Sequence, residues 1–368
     1  MNRIVLGVWV LSGLAACDDP TQPTVPSLAA LAAVEQQFSL RDLGTLGGDN
    51  SFASAINEQV EVVGDANLPS GEFRAFLWRR GQGMRSLGTL GGRNSFATGI
   101  NDRREVVGVS QIRSGLSRAF LWTQAGGMRG LGTLGGRNSI AEAINNRREV
   151  VGSSQISKGN FRAFLRRPGR GMQSLGTLGG AESQARDVND ATQIVGFSRT
   201  VDGDAHAFLW TAARGMEDLG TLGGGLSVAL GISQMGVVVG FSTNAAETEE
   251  AFLWTRRSGM RSLGTLDGPF ARANSVNTHR RVVGMISIPS NAVPFLWTQG
   301  RGIQLLPQPI PGAAGEATAL NEFGNIVGAT FFPPPPGREL AESHAVLWTP
   351  TAGPLAVEPT DEGTVLRR

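Results

Sequence analysis

Short apolar segments alternate with polar turns along most of the chain, and the same arrangement returns at a fixed spacing. The tetrapeptide Leu-Gly-Thr-Leu begins at Leu43 and recurs every 44 residues as far as Leu263. A Val/Ile-Val-Gly triplet recurs at the same spacing and ends at Gly64, Gly108, Gly152, Gly196, Gly240, Gly284 and Gly328. Self-similarity at such a period is typical of a repeat architecture.

Each repeat contains four apolar segments with the length and composition of β-strands. In the second repeat they cover residues 95–100 (strand a), 105–110 (b), 118–122 (c) and 127–134 (d). They are rich in β-branched and aromatic residues, and Gly, Asn, Asp and Arg bound them. No segment keeps a 3.6-residue periodicity over a helical length. The pattern predicts an all-β fold, a seven-bladed β-propeller with four antiparallel strands in each blade of about 44 residues.

Side-chain size supports this geometry. Strand c carries large residues, such as Phe120-Leu121-Trp122, so small side chains lie at the inner strand and large ones farther out, as a radial wedge requires. Strand a has alanine at one position in every repeat: Ala53, Ala97, Ala141, Ala185, Ala229, Ala273 and Ala317.

The two ends of the repeat region complement each other. Residues 39–46 match strand d but have no a–c segments before them, whereas the last repeat supplies a, b and c between about 317 and 348. We expect the amino-terminal strand to pair with the last strand c and close the ring, which removes two exposed edges. The alternative is that residues 354–357 form their own strand d. The propeller is predicted at 38–358, and a disordered tail at 359–368.

The turns between strands a and b begin with asparagine in six repeats. Asparagine tolerates left-handed backbone and caps turns with its side chain, so we predict a structural role for these residues. They are Asn57, Asn101, Asn145, Asn189, Asn277 and Asn321, with Ser233 at this position in the fifth repeat.

The first residues of the chain have the features of an export signal. Arg3 precedes an apolar run at 4–14 that is too short to span a membrane as a mature helix. Leu14-Ala15-Ala16-Cys17 resembles the lipobox of bacterial lipoproteins. The resemblance implies a signal peptide at 1–16, acylation of Cys17, and an exported protein that this anchor holds to a membrane of the bacterial cell envelope. Residues 17–37 contain three prolines among small and polar residues, which predicts a flexible tether.

The repeat also resembles a known family. The pattern I-N-x-x-x-x-V-V-G, then A-F-L-W, then G-M-x-x-L-G-T-L-G-G is similar to the HAF extracellular repeat over residues 39–358. The resemblance implies export and a repeat fold, and it implies no established reaction.

Composition narrows the functional classes. The net charge is +2, and Lys158 is the one lysine among 33 basic residues, so nothing indicates a nucleic-acid partner. Cys17 is the sole cysteine, which excludes disulfides within one chain and a thiolate metal cluster. The three histidines lack metal-ligand spacing, and no catalytic motif is present. We therefore predict a monomeric non-enzyme without metal or cofactor.

The d–a and b–c loops of a propeller share one face, where partners commonly bind. Amide, arginine and carboxylate side chains in these loops suit a glycan or an extended peptide. Asp187 interrupts the pattern of small residues in strand a. Charged or polar residues near the axis also predict a hydrated central channel; they are Glu142, Arg186, Arg272, Asn274 and Glu316. The candidate loop residues are Asn50, Arg93, Asn94, Arg137, Asn138 and Glu182.

These features favour a binding or scaffolding module for a glycan or protein. One alternative is a carbohydrate-active enzyme, in which two carboxyls among Glu142, Glu182, Asp187 and Glu316 would face each other at ~5–9.5 Å. A purely structural envelope component is the other alternative. The a–b and c–d turns on the opposite face gather arginines that predict a basic surface for anionic headgroups, among them Arg79, Arg80, Arg103, Arg104, Arg147, Arg148, Arg167 and Arg170.

Overall fold

The computed structural model describes residues 38–266, 268–289, 291–310, 313–332 and 342–351. These residues form β-strands and turns, and none of them belongs to an α-helix. Within the same residues, no helix has the length and apolar character needed to cross a membrane. The predicted signal peptide, the tether, the tail at 359–368 and the alternative strand at 354–357 all lie outside the described residues.

The strands follow one another in antiparallel groups of four, which we call S1 to S7 in chain order. After β1 (Phe38–Asp42), S1 contains β2 (Ser51–Ile56), β3 (Val62–Asn67), β4 (Phe73–Arg79) and β5 (Gly83–Ser86). S2 contains β6 (Gly91–Ile100), β7 (Val106–Ile112), β8 (Ser117–Thr123) and β9 (Gly127–Gly130). S3 contains β10 (Gly135–Ile144), β11 (Val150–Ile156), β12 (Phe161–Arg166) and β13 (Met172–Ser174).

The later groups repeat this order. S4 contains β14 (Gly179–Val188), β15 (Ile194–Thr200), β16 (Ala205–Thr211) and β17 (Gly215–Asp218), and S5 contains β18 (Gly223–Ile232), β19 (Val238–Asn244), β20 (Glu249–Thr255) and β21 (Gly259–Gly264). S6 contains β22 (Ala271–Val276), β23 (Val282–Ser287), β24 (Ala292–Thr298) and β25 (Gly302–Leu305). S7 contains β26 (Gly315–Leu320), β27 (Ile326–Phe332), β28 (Glu342–Pro350) and β1. A parallel pairing of Ala205 with Leu226 joins S4 and S5 into one eight-stranded sheet.

The amino-terminal strand takes the outer position of the last group, as predicted. β1 pairs antiparallel with β28, from Phe38 opposite Pro350 to Asp42 opposite Val346. His344 Nδ1 of β28 lies 2.7 Å from Asp42 Oδ2, and His206 of β16 makes the equivalent contact of 2.8 Å with Asp218 of β17. The hydrogen bond with Asp42 raises the pKa of His344, although burial opposes the shift. At pH values below this raised pKa, His344 is protonated and forms an ion pair with Asp42, which strengthens the contact between β1 and β28.

The Leu-Gly-Thr-Leu segment corrects one prediction. Strand d of the second repeat was expected at 127–134, but β9 ends at Gly130 and β10 begins at Gly135, so Leu131-Gly132-Thr133-Leu134 connects the two strands. Gly132 and Gly135 have φ of 85° and 98°, in the left-handed region that breaks an outer strand. Ser139 Oγ donates to the Gly132 carbonyl at 2.6 Å, and this bond fixes the connection.

The apolar cores lie between neighbouring groups. Between S1 and S2, Val63 and Leu77 pack with Ala97 and Phe120, all of them buried. Within each group, strands a and b lie so close together that the last residue of the triplet has to be glycine. A Cβ on Gly64 of the Val-Val-Gly triplet would lie 1.9 Å from the Phe52 carbonyl oxygen, and a Cβ on any of the six equivalent glycines would lie within 2.1 Å of the corresponding oxygen of its own strand a.

Asparagine side chains connect the groups in a run of hydrogen bonds that we call the Asn belt. The Nδ2 atom of each asparagine donates to the backbone carbonyl at the equivalent position of the next group, as Asn145 does to residue 189 at 3.0 Å. The run continues from Asn321 back to the Asn57 carbonyl at 3.2 Å. Its members are Asn57, Asn101, Asn145, Asn189, Asn277 and Asn321.

The belt asparagines also cap their own turns, as the sequence predicts. Asn145 Oδ1 accepts from the backbone N–H groups of Arg147 at 3.0 Å and Glu149 at 2.9 Å. The left-handed residue of the turn is the third one after the asparagine, such as Arg148 with φ of 65°. The asparagine therefore acts by capping and not by its tolerance of left-handed backbone.

We expect Asn145→Ala to lower the free energy of unfolding by about 3 kcal/mol, because it leaves buried backbone groups without their partner and removes one hydrogen bond from the Glu149 carboxylate. Arg147→Ala changes an exposed side chain of the same turn and should cost less than about 0.5 kcal/mol. Urea unfolding of both variants measures the difference. Equal losses would show that the asparagine does not hold the groups together.

Candidate functional site

Two of the predicted loop residues line a polar groove of about 310 Å³ between S1 and S2. Arg93 and Asn94 enter it from the first half of β6, and the turn between β3 and β4 supplies the facing wall. The remaining lining residues are Ser70, Gly71, Glu72 and Gln111. The groove therefore brings a d–a loop and a b–c loop together, as the sequence predicts.

Asn94 fixes one wall of this groove. Its Oδ1 atom accepts from the Phe73 N–H at 2.9 Å, and its own N–H donates to Gln111 Oε1 at 3.1 Å. The side chain therefore links β6 to β4 of the preceding group. It is a positioning residue of the groove and has less capacity left for a ligand than the sequence suggested.

Arg93 is the exposed cation of the groove. Its side chain is 80% exposed, and Nη2 lies 3.4 Å from Glu72 Oε1. A hydrogen bond from Ser70 lowers the pKa of Glu72, so this carboxylate stays ionised in mildly acidic solution. The contact with Arg93 is long and solvated, and such a pair contributes little to stability. Both groups are therefore available to exchange partners with a ligand.

The same arrangement recurs between S2 and S3, but without an acidic residue equivalent to Glu72. Asn138 Oδ1 accepts from the Ser117 N–H at 3.0 Å, and its Nδ2 donates to Gln155 Oε1 at 3.0 Å. Arg137 is exposed, and Leu116 stands at the repeat position of Glu72. The two loops thus share their scaffold and differ in their charged groups.

The other two loop candidates have different surroundings. Asn50 Oδ1 accepts from the Ser343 N–H of β28 at 3.1 Å, so it positions S7 against S1. Glu182 occupies the repeat position of Asn138, and its carbonyl accepts from Ser198 Oγ at 3.3 Å. Asn50, Asn94 and Asn138 each accept a backbone N–H of a neighbouring strand through Oδ1, so they also position the loops, and their binding of a ligand stays a prediction.

The charged residues of strand a are paired. Glu142 Oε1 lies 3.1 Å from Arg186 Nη1 of the next group. Arg272 binds Glu249 of β20, with Nη2 2.9 Å from Oε2, and its guanidinium carbon lies 4.5 Å from the ring centroid of Phe241. These arginines therefore connect neighbouring groups, and the idea of unpaired charges around a hydrated channel does not apply to them.

Asp187 replaces the small residue of strand a and bridges S4 to S5. Its Oδ1 accepts from the Val188 N–H at 2.8 Å, and its Oδ2 accepts from the Ile232 N–H at 2.9 Å. Burial raises the pKa of Asp187 to about 6, although both hydrogen bonds favour the charged form. Glu142 and Asp187 are therefore both occupied by protein groups, which gives the carboxylate-pair enzyme hypothesis no support.

Buried glutamates neutralise part of the predicted basic face. Glu61 Oε1 lies 2.7 Å from Arg104 Nε, and Glu105 Oε1 lies 2.8 Å from Arg148 Nη2. Each of these carboxylates belongs to one group and binds the arginine of the next. The face is therefore less cationic than the arginine count suggests. In the described parts of the chain, His, Cys, Asp and Glu side chains form no group of three suited to a metal ion.

Sequence reasoning missed Glu72, the acidic partner of Arg93, and the Ser70 hydroxyl that donates to Glu72. Ser70 and Glu72 lie in a turn that differs from its equivalents in other repeats. The mismatch between Glu72 and Leu116 at one repeat position is the signal that could have identified the groove.

Comparisons with known proteins bear on the fold. No protein-family model and no curated protein sequence matches the chain. The β-propeller domain of the Trilobed protease from Pyrococcus furiosus is similar, with a TM-score of 0.55, 9% identity, and coverage of 80% of this chain and 95% of that chain. Acylaminoacyl peptidase from Pyrococcus horikoshii has a TM-score of 0.52 at 10% identity, and the match covers 83% of this chain and 52% of that chain.

TolB from Acinetobacter baumannii gives a TM-score of 0.50 at 14% identity, with coverage of 68% of this chain. The chain spans 64% of the length of that TolB chain and about half of the peptidase. At these identities the likeness concerns the fold alone, and it shows a β-propeller fold of four-stranded antiparallel sheets.

We expect Asp187 to make the stability of the protein depend on pH between about 4 and 7. Its pKa in the folded state lies above the unfolded value of 3.8, so folding takes up a proton in this range and the stability contributed by the neutral form is lost as pH rises. The loss amounts to as much as about 3 kcal/mol. In Asp187→Ala this contribution is absent, so the free energy of unfolding of the variant should rise relative to the native protein as the pH increases.

Urea unfolding at several pH values tests this, with Asp202→Ala on an exposed turn as the control. A constant difference between Asp187→Ala and the native protein across this range would contradict the burial of the carboxyl.

Proposed function

We propose that the chain is a closed, seven-bladed β-propeller that acts as a non-catalytic module for binding a glycan. Each group S1 to S7 is one blade in this proposal. Two contacts across the ends of the repeat region support it, namely the pairing of β1 with β28 and the hydrogen bond from Asn321 to residue 57. A ring of this kind is rigid, which keeps its loops in fixed positions for recognition.

The observation that carries the binding function is the groove around Arg93. Its walls present a guanidinium, a carboxylate, a hydroxyl and an amide within about 310 Å³, a volume at the lower end of small-ligand sites. These groups can donate to and accept from sugar hydroxyls. Because Asn94 and Gln111 are held by backbone and side-chain hydrogen bonds, the groove is organised before a ligand arrives. A protein partner is the alternative occupant.

We further propose that the module is exported and held at the cell envelope by acylation of Cys17. The lipobox-like segment Leu14-Ala15-Ala16-Cys17 supports this, and the HAF-like repeat agrees with export. Membrane fractionation of Cys17→Ser in a bacterial host tests it: the variant should move to the soluble fraction, and retention in the membrane would contradict the anchor.

A glycan array with the purified protein tests the binding function, and Arg93→Ala identifies the groove. We expect Arg93→Ala to weaken binding of the recognised glycan at least tenfold, because the guanidinium is the exposed cation of the groove. Arg137→Ala removes the same side chain from the equivalent loop beside Leu116 and should change binding less than twofold. Equal losses in both variants, or no bound glycan, would contradict the proposal.

A further inference from the structure

The interface between S5 and S6 lacks hydrogen bonds that the other group interfaces have. Ser233 stands where the Asn belt needs an amide, and no bond to the Asn277 carbonyl is formed among the described residues. A second run of hydrogen bonds is parallel to the belt. In it, the backbone N–H of the residue that follows the belt asparagine donates to the side chain at the equivalent position of the next group, as the Asp102 N–H does to Asn146 Oδ1 at 2.9 Å. In the described residues this second run is also interrupted after Gln234.

A groove of about 610 Å³ opens on the outer side of this same interface. The third and fourth strands of S5 form one wall, and β24 of S6 forms the other. Three of its lining residues are arginines and none is acidic. They are Leu253, Thr255, Arg257, Ser258, Arg261, Ser262, Leu263, Arg280, Trp297 and Gln299.

The equivalent place between S4 and S5 is neutralised by an ion-pair network. Glu217 of β17 lies opposite Leu209, at the register position that Arg261 of β21 occupies opposite Leu253. Its carboxylate binds Arg256 Nη2 at 2.9 Å and Arg214 Nη1 at 3.3 Å. These contacts fasten S4 to S5 on their outer side.

Three substitutions along the repeat convert this arrangement into the groove between S5 and S6. Arg261 replaces Glu217, Gln299 replaces Arg256, and Arg280 replaces Gly236. The ion pair between Glu217 and Arg256 has no counterpart in this groove, because Arg261 stands where the glutamate would be. The lining of the groove between S5 and S6 therefore carries arginines and no acid.

Among the described residues, the three arginines of the groove have no carboxylate counter-ion. Arg257, Arg261 and Arg280 are exposed, and no described carboxylate lies within 4.0 Å of their guanidinium groups. Guanidinium groups that share one groove repel each other, and an anion between them removes that repulsion. Arginine binds a planar carboxylate through two parallel hydrogen bonds, so carboxylate groups match these cations.

The rest of the groove suits a sugar ring. Trp297 is partly exposed, whereas its counterparts Trp254 and Trp210 are buried. Trp297, Leu253 and Leu263 pack partly buried against the core between S5 and S6, and the parts of them that line the groove form an apolar surface for the C–H face of a pyranose. At the rim, the amide of Gln299 can hydrogen-bond to sugar hydroxyls. The hydroxyls of Thr255 and Ser258 bond to each other at 2.7 Å, and Ser262 Oγ donates to the Glu250 carboxylate, so these groups would exchange or share their partners with a sugar.

We propose that the groove between S5 and S6 binds an oligosaccharide that carries carboxylate groups, with Arg257, Arg261 and Arg280 as the recognising cations. The apolar wall favours such a sugar over an acidic peptide, which would need the arginines but not the tryptophan face. This site is separate from the groove around Arg93, so each can fail without the other.

Titration calorimetry of the purified full chain with tri-galacturonic acid tests the proposal. The methyl ester of the same trimer, which is neutral, isolates the charge. We expect the acid to bind at least tenfold more tightly than the ester. Arg261→Glu restores the charge that Glu217 has between S4 and S5, and it should weaken binding of the acid at least tenfold.

Arg85→Glu is the matched control, because Arg85 has the same register position on β5 and the net charge changes equally. It should alter the affinity less than twofold, and Arg93→Ala should likewise leave it unchanged. Circular dichroism of each variant establishes that it is folded. Equal affinity for acid and ester, equal weakening by Arg85→Glu and Arg261→Glu, no binding of the acid, or tighter binding of hexaglutamate would each overturn the proposal.

Discussion

Six of the seven four-stranded groups of this protein are tied to the next by the side-chain amide of one buried asparagine. The amide donates outward to the carbonyl of the neighbouring turn, while its oxygen caps two N–H groups of its own turn. A buried turn without such a partner would leave backbone groups unsatisfied. The asparagine therefore determines both the shape of the turn and the distance to the next group, and the alanines of the inner strands allow that distance.

Electrostatic contacts follow from the same arrangement. The residue four positions after Asn57 and Asn101 is a buried glutamate that accepts from the belt amide and from an arginine of the next group. A buried carboxylate is costly unless it is paired and hydrogen-bonded, and here it has both kinds of partner. Arginines that would otherwise form one cationic face thus pair with glutamates of neighbouring groups. Arg93 and the arginines around Arg261 are exposed and lie outside these pairs between groups.

The sequence predicted the features that depend on spacing. The 44-residue period, four strands per repeat and the pairing of the amino-terminal strand with the last strand c all follow from aligned residue types. It did not predict the role of Leu-Gly-Thr-Leu, because left-handed glycines break a segment that otherwise has strand composition. It also overestimated the basic face and the free loop amides, because the partners of Arg104 and Asn94 come from other groups and only the folded chain brings them together. The groove at Arg261 depends on three differences between repeats. Their common location is seen only when the strand register is known, which places Arg261 opposite Leu253.

Native-state hydrogen exchange of the a–b turns tests the central claim most directly, which is that the groups form one closed ring weakened at a single interface. The account predicts that the turn at 233–237 exchanges fastest, because the belt bond to S6 is missing there. It also predicts that the turns at 57–61 and 321–325 are as well protected as those at 101–105 and 145–149. Fastest exchange at 57–61 and 321–325 would mean an open chain of sheets and would contradict the account, as would equal protection in all seven turns.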